Sequence, residues 1–388
     1  FSSKRYSIFE NLKKEGKLPM TTKLKNYFPM IRSREEILKE IDGNIKLTEK
    51  FYSWGDSARQ EFLDFCTGVR GVKLLYDSFF KEIMNPETVP ERLEDFLSVL
   101  LQKKVKIVEV LPGDSSRIAD EQSLLIMDIL VRFEDGTYCN VEVQKIGYAF
   151  PGERSACYSS DLLLRQYKTA RSRKKEKFTY KDVKGVYTII LMDKSARIFD
   201  EFSEKYVHTF RQGSDTGLAM DLLQNYIFIP LDIFRENVHN KGIKNKLDAW
   251  LVFLSMDEPE RIIDLITAYP EFKAMYEHVY NMCRNVEDVM GIFSEELKIL
   301  DRNTVKYMVD EMQETIDEQK KQLKTSAETI DEQKKQLKTS AETIDEQKKQ
   351  LKTSAETIDE QNIQIKTQQN KIDKLQDKIE LLKKQLKE

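Results

Sequence analysis

Chemistry based on thiols, imidazoles or bound zinc has little to work with in this chain. Its 388 residues include only four cysteines (Cys66, Cys139, Cys157, Cys283) and three histidines (His208, His239, His278), all widely spaced. The absence of CxxC and HExxH spacings argues against the common zinc sites. The histidines show no triad-like partners, and GSDTGL lacks P-loop spacing, so nucleotide hydrolysis finds no support. No apolar run is long enough to span a bilayer, which argues against a membrane partner. The chain opens at Phe1 without a Met and without a signal-like apolar segment, which leaves the true N-terminus open. The few unpatterned thiols suit a reducing compartment, and the cytoplasm is the expected location. Charge of one sign is also lacking: 63 Lys and Arg against 66 Asp and Glu leave a net −3. A nucleic-acid partner therefore has to be held by a local basic patch.

What is present is enough apolar sequence for a sizeable core, 40% of residues, under an above-average 33% of charge. Four regions separate. Residues 1–85 read as helical, with helical spacing in EEILKEIDGNIKLTEKFY and in DSARQEFLDFCTGV, the latter opened by Asp56 as N-cap. Residues 86–240 alternate patterns. PERLEDFLSVLLQ places Pro90 at a first helical position, and VKIVEVL reads as a strand. SLLIMDILVRF, the turn Glu134-Asp135-Gly136 and TYCNVEVQKI read as a hairpin. A helix from ERSACYSSDLLLRQY, a buried strand from VKGVYTIILMD and a further strand in NYIFIPLDIF follow. This order predicts an α/β fold, a mixed sheet flanked by helices. Residues 241–312 return to helical spacing and are expected to form a bundle on that core. Residues 313–388 hold ETIDEQKKQLKTSA three times, and fourteen residues are two heptads.

The hairpin carries the candidate chemistry. Its turn centres on Asp135, so Asp128 and Glu142 are expected to face each other, with Asn140 and Gln144 on the same side. Met127, Ile129, Val131, Val141 and Val143 form an apolar opposite face. Two carboxylates about 5 Å apart at Cβ repel each other across a sheet. A shared divalent cation removes that penalty, and carboxylate oxygens are what Mg²⁺ prefers. Such a cation lowers the pKa of an attacking water and neutralises charge on a phosphodiester. Strand carboxylates more commonly sit on a solvated face, but the flanking Ile126 and Leu130 make this one partly apolar, which favours a site. Residues 168–184, KTARSRKKEKFTYKDVK, hold eight Lys or Arg and two acids, with Phe178 and Tyr180 interleaved. Arg171, Arg173, Lys174 and Lys175 are candidates to neutralise phosphates next to the site; a solvated loop is the alternative.

The helix–strand–hairpin–helix–strand order, with MDILVRFEDGTYCNVEVQK at its centre, resembles the PD-(D/E)XK superfamily. YDSFFKEIMNPETVPERLEDFLSVLL, VKGVYTIILMD, LDAWLVFL and LDRNTVKYMVDEMQ further resemble the PD-(D/E)XK nuclease family transposases, relatives of the recombination-promoting nucleases. The resemblance implies a restriction-endonuclease-like core and a DNA endonuclease using Mg²⁺ or Mn²⁺. Asp128 then falls on the first metal-binding carboxylate and Glu142 on the second. Gln144 stands where the superfamily often has Lys, a substitution that leaves activity open, and Lys145 points to the other face. An acid on the first core helix is also expected, with Glu94 preferred over Glu91. Gln166 is a candidate to reach the site, with a satisfied half-buried glutamine the alternative, while Tyr158, Leu162 and Leu163 are expected to pack on the sheet. The runner-up function is a weak or inactive nuclease-fold protein acting in DNA binding or assembly; RNA is a third possible substrate.

In the tail, Ile316, Leu323, Ile330, Leu337, Ile344, Leu351, Ile358, Ile365, Ile372 and Ile379 recur every seventh residue. That register is maintained only in a left-handed supercoil. The positions three residues on are polar (Gln319, Ser326, Gln333, Ser340, Gln347, Ser354) until Leu375 and Leu382, followed by Leu386. The expectation is a homo-oligomeric coiled coil anchored at the extreme C-terminus, with a single solvated helix as the alternative.

Overall fold

The computed structural model describes residues 22–112, 128–145 and 151–385. Residues 1–21, Ile126, Met127 and Leu386 lie outside them. The chain divides into two compact units, Phe1–Glu311 and Met312–Glu388.

The first unit opens with four helices, α1 (Arg34–Asp42), α2 (Ile45–Ser53), α3 (Asp56–Cys66) and α4 (Asp77–Ile83). The stretch expected as one helix is two. Asn44 accepts hydrogen bonds from the N–H groups of Lys46 and Leu47, and so caps a new helix just after Gly43 ends the first. Ser33 and Glu36 form a capping box on α1. Gly55 is the N-cap of α3, and Asp56 is its first residue. Pro90 begins α5 (Pro90–Leu101) as expected.

Six strands follow: β1 (Ile107–Val110), β2 (Ile129–Phe133), β3 (Tyr138–Gln144), β4 (Val186–Met192), β5 (His208–Phe210) and β6 (Gln224–Pro230). They form one mixed sheet in the order β1-β2-β3-β4-β6-β5. The first three strands are an antiparallel meander; β4 is parallel to both β3 and β6, and β5 closes the edge antiparallel. The long helix α6 (Pro151–Lys174) is the crossover from β3 to β4. The edge strand β5 has only three residues, two of them exposed, too few to show alternation in sequence. Pro230 ends β6, so the apolar run expected to continue as strand turns into α7 (Leu231–Lys241).

One face of the sheet (Ile129, Val131, Val141, Val143, Ile189, Leu191, Ile227, Ile229) joins a continuous core running from Leu24 to Phe293. That core draws on α1–α5, α7, α8 (Lys246–Ser255), α9 (Pro259–Ala268), α10 (Glu271–Met282) and the first turns of α11 (Val286–Gln385). In α8 every residue from Asp248 to Leu254 is buried, and Trp250 Nε1 donates to Asp95 at 2.8 Å, tying it to α5. The opposite face is covered by α6, whose Tyr158 and Leu162 pack with Leu130, Tyr138 and Val186, and Leu163 lies against them. All seven residues of β3 are consequently buried.

The second unit is the continuation of α11. Each heptad Ile and Leu from Ile316 to Leu382 is 44–70% exposed, an apolar stripe on an otherwise charged helix. No helix among the described residues is long and apolar enough to cross a membrane.

Candidate active site

The hairpin register decides where the acids stand. Ile129 pairs with Val141 and Leu130 with Asn140. Phe133 N–H donates to Thr137 O and Gly136 N–H to Phe133 O, closing a three-residue loop with Gly136 at φ +87°. The positive φ is taken by the residue without a Cβ, so the loop absorbs its extra residue without a register slip. One step beyond the Ile129–Val141 pair, Asp128 lies across from Glu142.

Both carboxyls are buried, with side-chain exposures of 9% and 5%. Asp128 Oδ2 accepts the Val143 N–H at 2.8 Å, which fixes its rotamer against β3. Burial pushes the Glu142 carboxyl up to about 8, and the Asp128 charge adds to the rise against the pull of Arg154. Burial raises Asp128 too, opposed by Lys81. Two cations answer the pair from opposite sides. Lys81 Nζ of α4 is 3.0 Å from Asp128 Oδ1, and Arg154 Nη2 of α6 is 3.6 Å from Glu142 Oε1. Burial works against the Lys81 charge, but Asp128, Asp77 and Glu142 outweigh it and hold the ammonium above its ordinary pKa.

A strip of buried polar atoms without hydrogen-bond partners runs along the α6-facing side of the sheet. It comprises Glu142 Oε2, Gln144 Nε2, both amide atoms of Asn140 and Thr188 Oγ1. Each such group costs about 1–3 kcal/mol. Among the described residues, no three Asp, Glu, His or Cys side chains come together as a metal cage. The donor set is two carboxylates, one with an unpartnered oxygen, beside polar groups able to bind water. That set suits a hard cation held by one or two carboxylates and its own waters, as Mg²⁺ usually is.

The family model of the PD-(D/E)XK nuclease family transposases matches residues 74–311, from just before α4 through the whole sheet and into α11. The chain belongs to that family. No curated protein and no solved structure matches it.

Within this PD-(D/E)XK fold the other expected site residues fall in different places. Gln144 is buried on the Glu142 face. Lys145 leaves by the other face, where its ammonium lies 3.2 Å from Asp77 and also binds the fully buried Glu296. Glu94 does not reach the pair. Its carboxylate accepts the Ile107 N–H at 2.9 Å and binds Lys106. Ile107 pairs with Phe133, at the turn end of the hairpin, so Glu94 is occupied at the wrong end of β2, roughly 16 Å along the strand. The helical acid whose charge reaches Asp128 is Asp77 on α4. Gln166 also serves the turn end: its Nε2 donates to Gly136 O at 3.3 Å and its Oε1 accepts the Lys184 N–H. It is the satisfied, buried glutamine of the alternative reading. The basic residues are not next to the pair either. Helix α6 starts beside Glu142 with Arg154 and carries Arg171 about 25 Å away by helical rise. Arg171 binds the Tyr167 hydroxyl, and Lys174 pairs with Asp182.

The electrostatics give a sign for pH dependence. Glu142 titrates higher in the folded chain, at about 8, than its ordinary 4.5. Its stabilising contribution is therefore complete below 4.5 and is lost as pH rises through about 8. Without added metal, the parent is expected to lose stability relative to Glu142→Gln over that window, read as urea midpoints at several pH values. Parallel curves for the two proteins would contradict a buried, charge-opposed Glu142.

Proposed function

We propose that this family member is a divalent-metal-dependent endonuclease that hydrolyses phosphodiester bonds of DNA in transposition or recombination. The observation that carries the reading is the buried pair of opposed carboxylates, Asp128 and Glu142, in a chain whose family is one of nucleases. Asp128 and Glu142 would hold Mg²⁺ or Mn²⁺. When bound, such an ion neutralises charge on the phosphate and lowers the pKa of its water. Hydrolysis adds a water oxygen to phosphorus and breaks the bond to one sugar oxygen, which leaves with a proton while the attacking water loses one. Gln144 Nε2, buried without a partner, is positioned to orient the water or a phosphate oxygen. Its lack of charge favours, as a second reading, a slow or inactive member retained for DNA binding and assembly.

Arg171, Arg173, Lys174 and Lys175 at the far end of α6 would contact the DNA backbone away from the cut. A duplex reaching from the acidic pair to Arg171 spans about seven base pairs. The exposed apolar stripe of α11 supports self-association, anchored where Leu375 and Leu382 complete the seam. The repeats before it act as a spacer on the order of 100 Å long, and pairing two nuclease units suits an enzyme that cuts both strands. All four cysteines are free, which suits action in the cytoplasm.

Plasmid cleavage in Mg²⁺ or Mn²⁺ tests the activity. Asp128→Ala is expected to abolish cutting with the fold intact; a folded Asp128→Ala protein cutting at the parental rate would remove the pair from the mechanism. In the same assay series, replacing the four basic residues with Gln should flatten the salt dependence of DNA binding. An unchanged slope would return them to a solvated surface. Sedimentation should show an oligomer that becomes monomeric when residues 365–388 are deleted, whereas a full-length monomer at micromolar concentration would exclude self-association.

A further inference from the structure

The charge that the motif lacks at Gln144 is present in the site, delivered by another element. Lys81 lies on α4, far from the hairpin in sequence, yet its Nζ is 3.0 Å from Asp128 Oδ1. Its side chain is 43% exposed against 9% for Asp128, so the lysine links the buried acid to solvent. The Glu142 charge is felt there as well.

The placement of Lys81 is built rather than incidental. Phe79, Phe80 and Ile83 of α4 are fully buried, which fixes the rotation of the helix. Asp77 is one turn before Lys81, on the same face. It is held 3.2 Å from Lys145, which also grips Glu296 of α11 and lies 5.2 Å over the Tyr76 ring. The residue directly after Gln144 on the hairpin is thus used to lock the helix that presents Lys81. The pair offsets the cost of burying Asp128, and the half-exposed lysine side chain remains within reach of solvent.

We infer that Lys81 is a catalytic residue of the endonuclease proposed above, supplying to a non-bridging oxygen of the scissile phosphate the positive charge that Gln144 cannot. In the absence of a divalent cation, the same ammonium neutralises Asp128. Lys81 and the cation therefore compete for one carboxylate, while both are needed for cutting. Lys145 and Asp77 are positioning residues in this scheme.

Two readouts on the full-length chain test it: plasmid cleavage at saturating Mn²⁺, and Mn²⁺ affinity by calorimetric titration without DNA. Lys81→Met is expected to lose about 100-fold in cleavage, as for removal of one preorganised charge, and to bind Mn²⁺ more tightly than the parent. Lys81→Arg should retain more activity than Lys81→Met, and adding Gln144→Lys to Lys81→Met should restore part of the cutting. Parental cleavage by Lys81→Met would overturn the inference, and so would weakened Mn²⁺ binding in parallel with lost cleavage, the signature of a structural role. Should Lys81→Met fail to fold, Lys81→Gln carries the same comparison. If the parent itself cuts no DNA, the nuclease reading fails separately. The titration then decides the competition alone: tighter Mn²⁺ binding in Lys81→Met supports it, and unchanged binding overturns it.

Discussion

Two carboxylates opposed across a hairpin, both taken out of water, are the constraint around which this fold is organised. Asp128 and Glu142 repel each other, and burial disfavours the charge on each. Neither cost would persist in a sheet that served only as a scaffold, where an apolar pair would be more stable. The surrounding structure meets the cost piecemeal: a backbone N–H on Asp128, Lys81 from one side and Arg154 from the other. Even so, Glu142 Oε2 and its polar neighbours on the strip remain without partners. Under the proposed function, a bound ion and its waters would meet those deficits.

That constraint explains why the two layers around the sheet differ. The helices against the Ile129–Val141 face bring aromatic and aliphatic bulk, with the Lys145–Asp77–Glu296 cluster among their charged groups. On the other face, the first turn of α6 brings Arg154 to Glu142, and Ser159 accepts a hydrogen bond from Gln224 Nε2 of β6, whereas Tyr158 and Leu162 supply the apolar packing. Gln166 then fastens the middle of α6 to the hairpin turn and to the start of β4. One helix thus serves the site at its beginning, the sheet in its middle and an exposed basic surface at its end.

The parts legible in sequence were those set by short-range periodicity. A period of two and a glycine-containing turn sufficed to oppose Asp128 and Glu142 and to put Asn140 and Gln144 beside them. The fold order and the heptads of the tail were legible for the same reason. What was not legible depends on three-dimensional direction. Glu94 and Gln166 sit on the expected helices, but at the turn end of the hairpin, because strand and helix directions carry them away from the acids. The basic run was close to the site in sequence and is distant in space because a helix of 24 residues intervenes. Lys81 and Asp77 were missed because DSFFKEI presents an apolar, core-packing pattern. Only the hint that Gln144 left a charge missing pointed to a lysine elsewhere. The two-residue turn into α2 and the three-residue β5 fall below the length at which pattern is informative.

The central claim is that Asp128 and Glu142 together hold a divalent cation. Anomalous diffraction from crystals soaked in Mn²⁺ examines it most directly, since the signal locates the ion independently of any activity. The account predicts one peak between the two carboxylates, within about 2.5 Å of an oxygen from each, with the Lys81 ammonium displaced from Asp128. A well-soaked crystal with no peak there, or with Mn²⁺ bound only at other carboxylates, would contradict it.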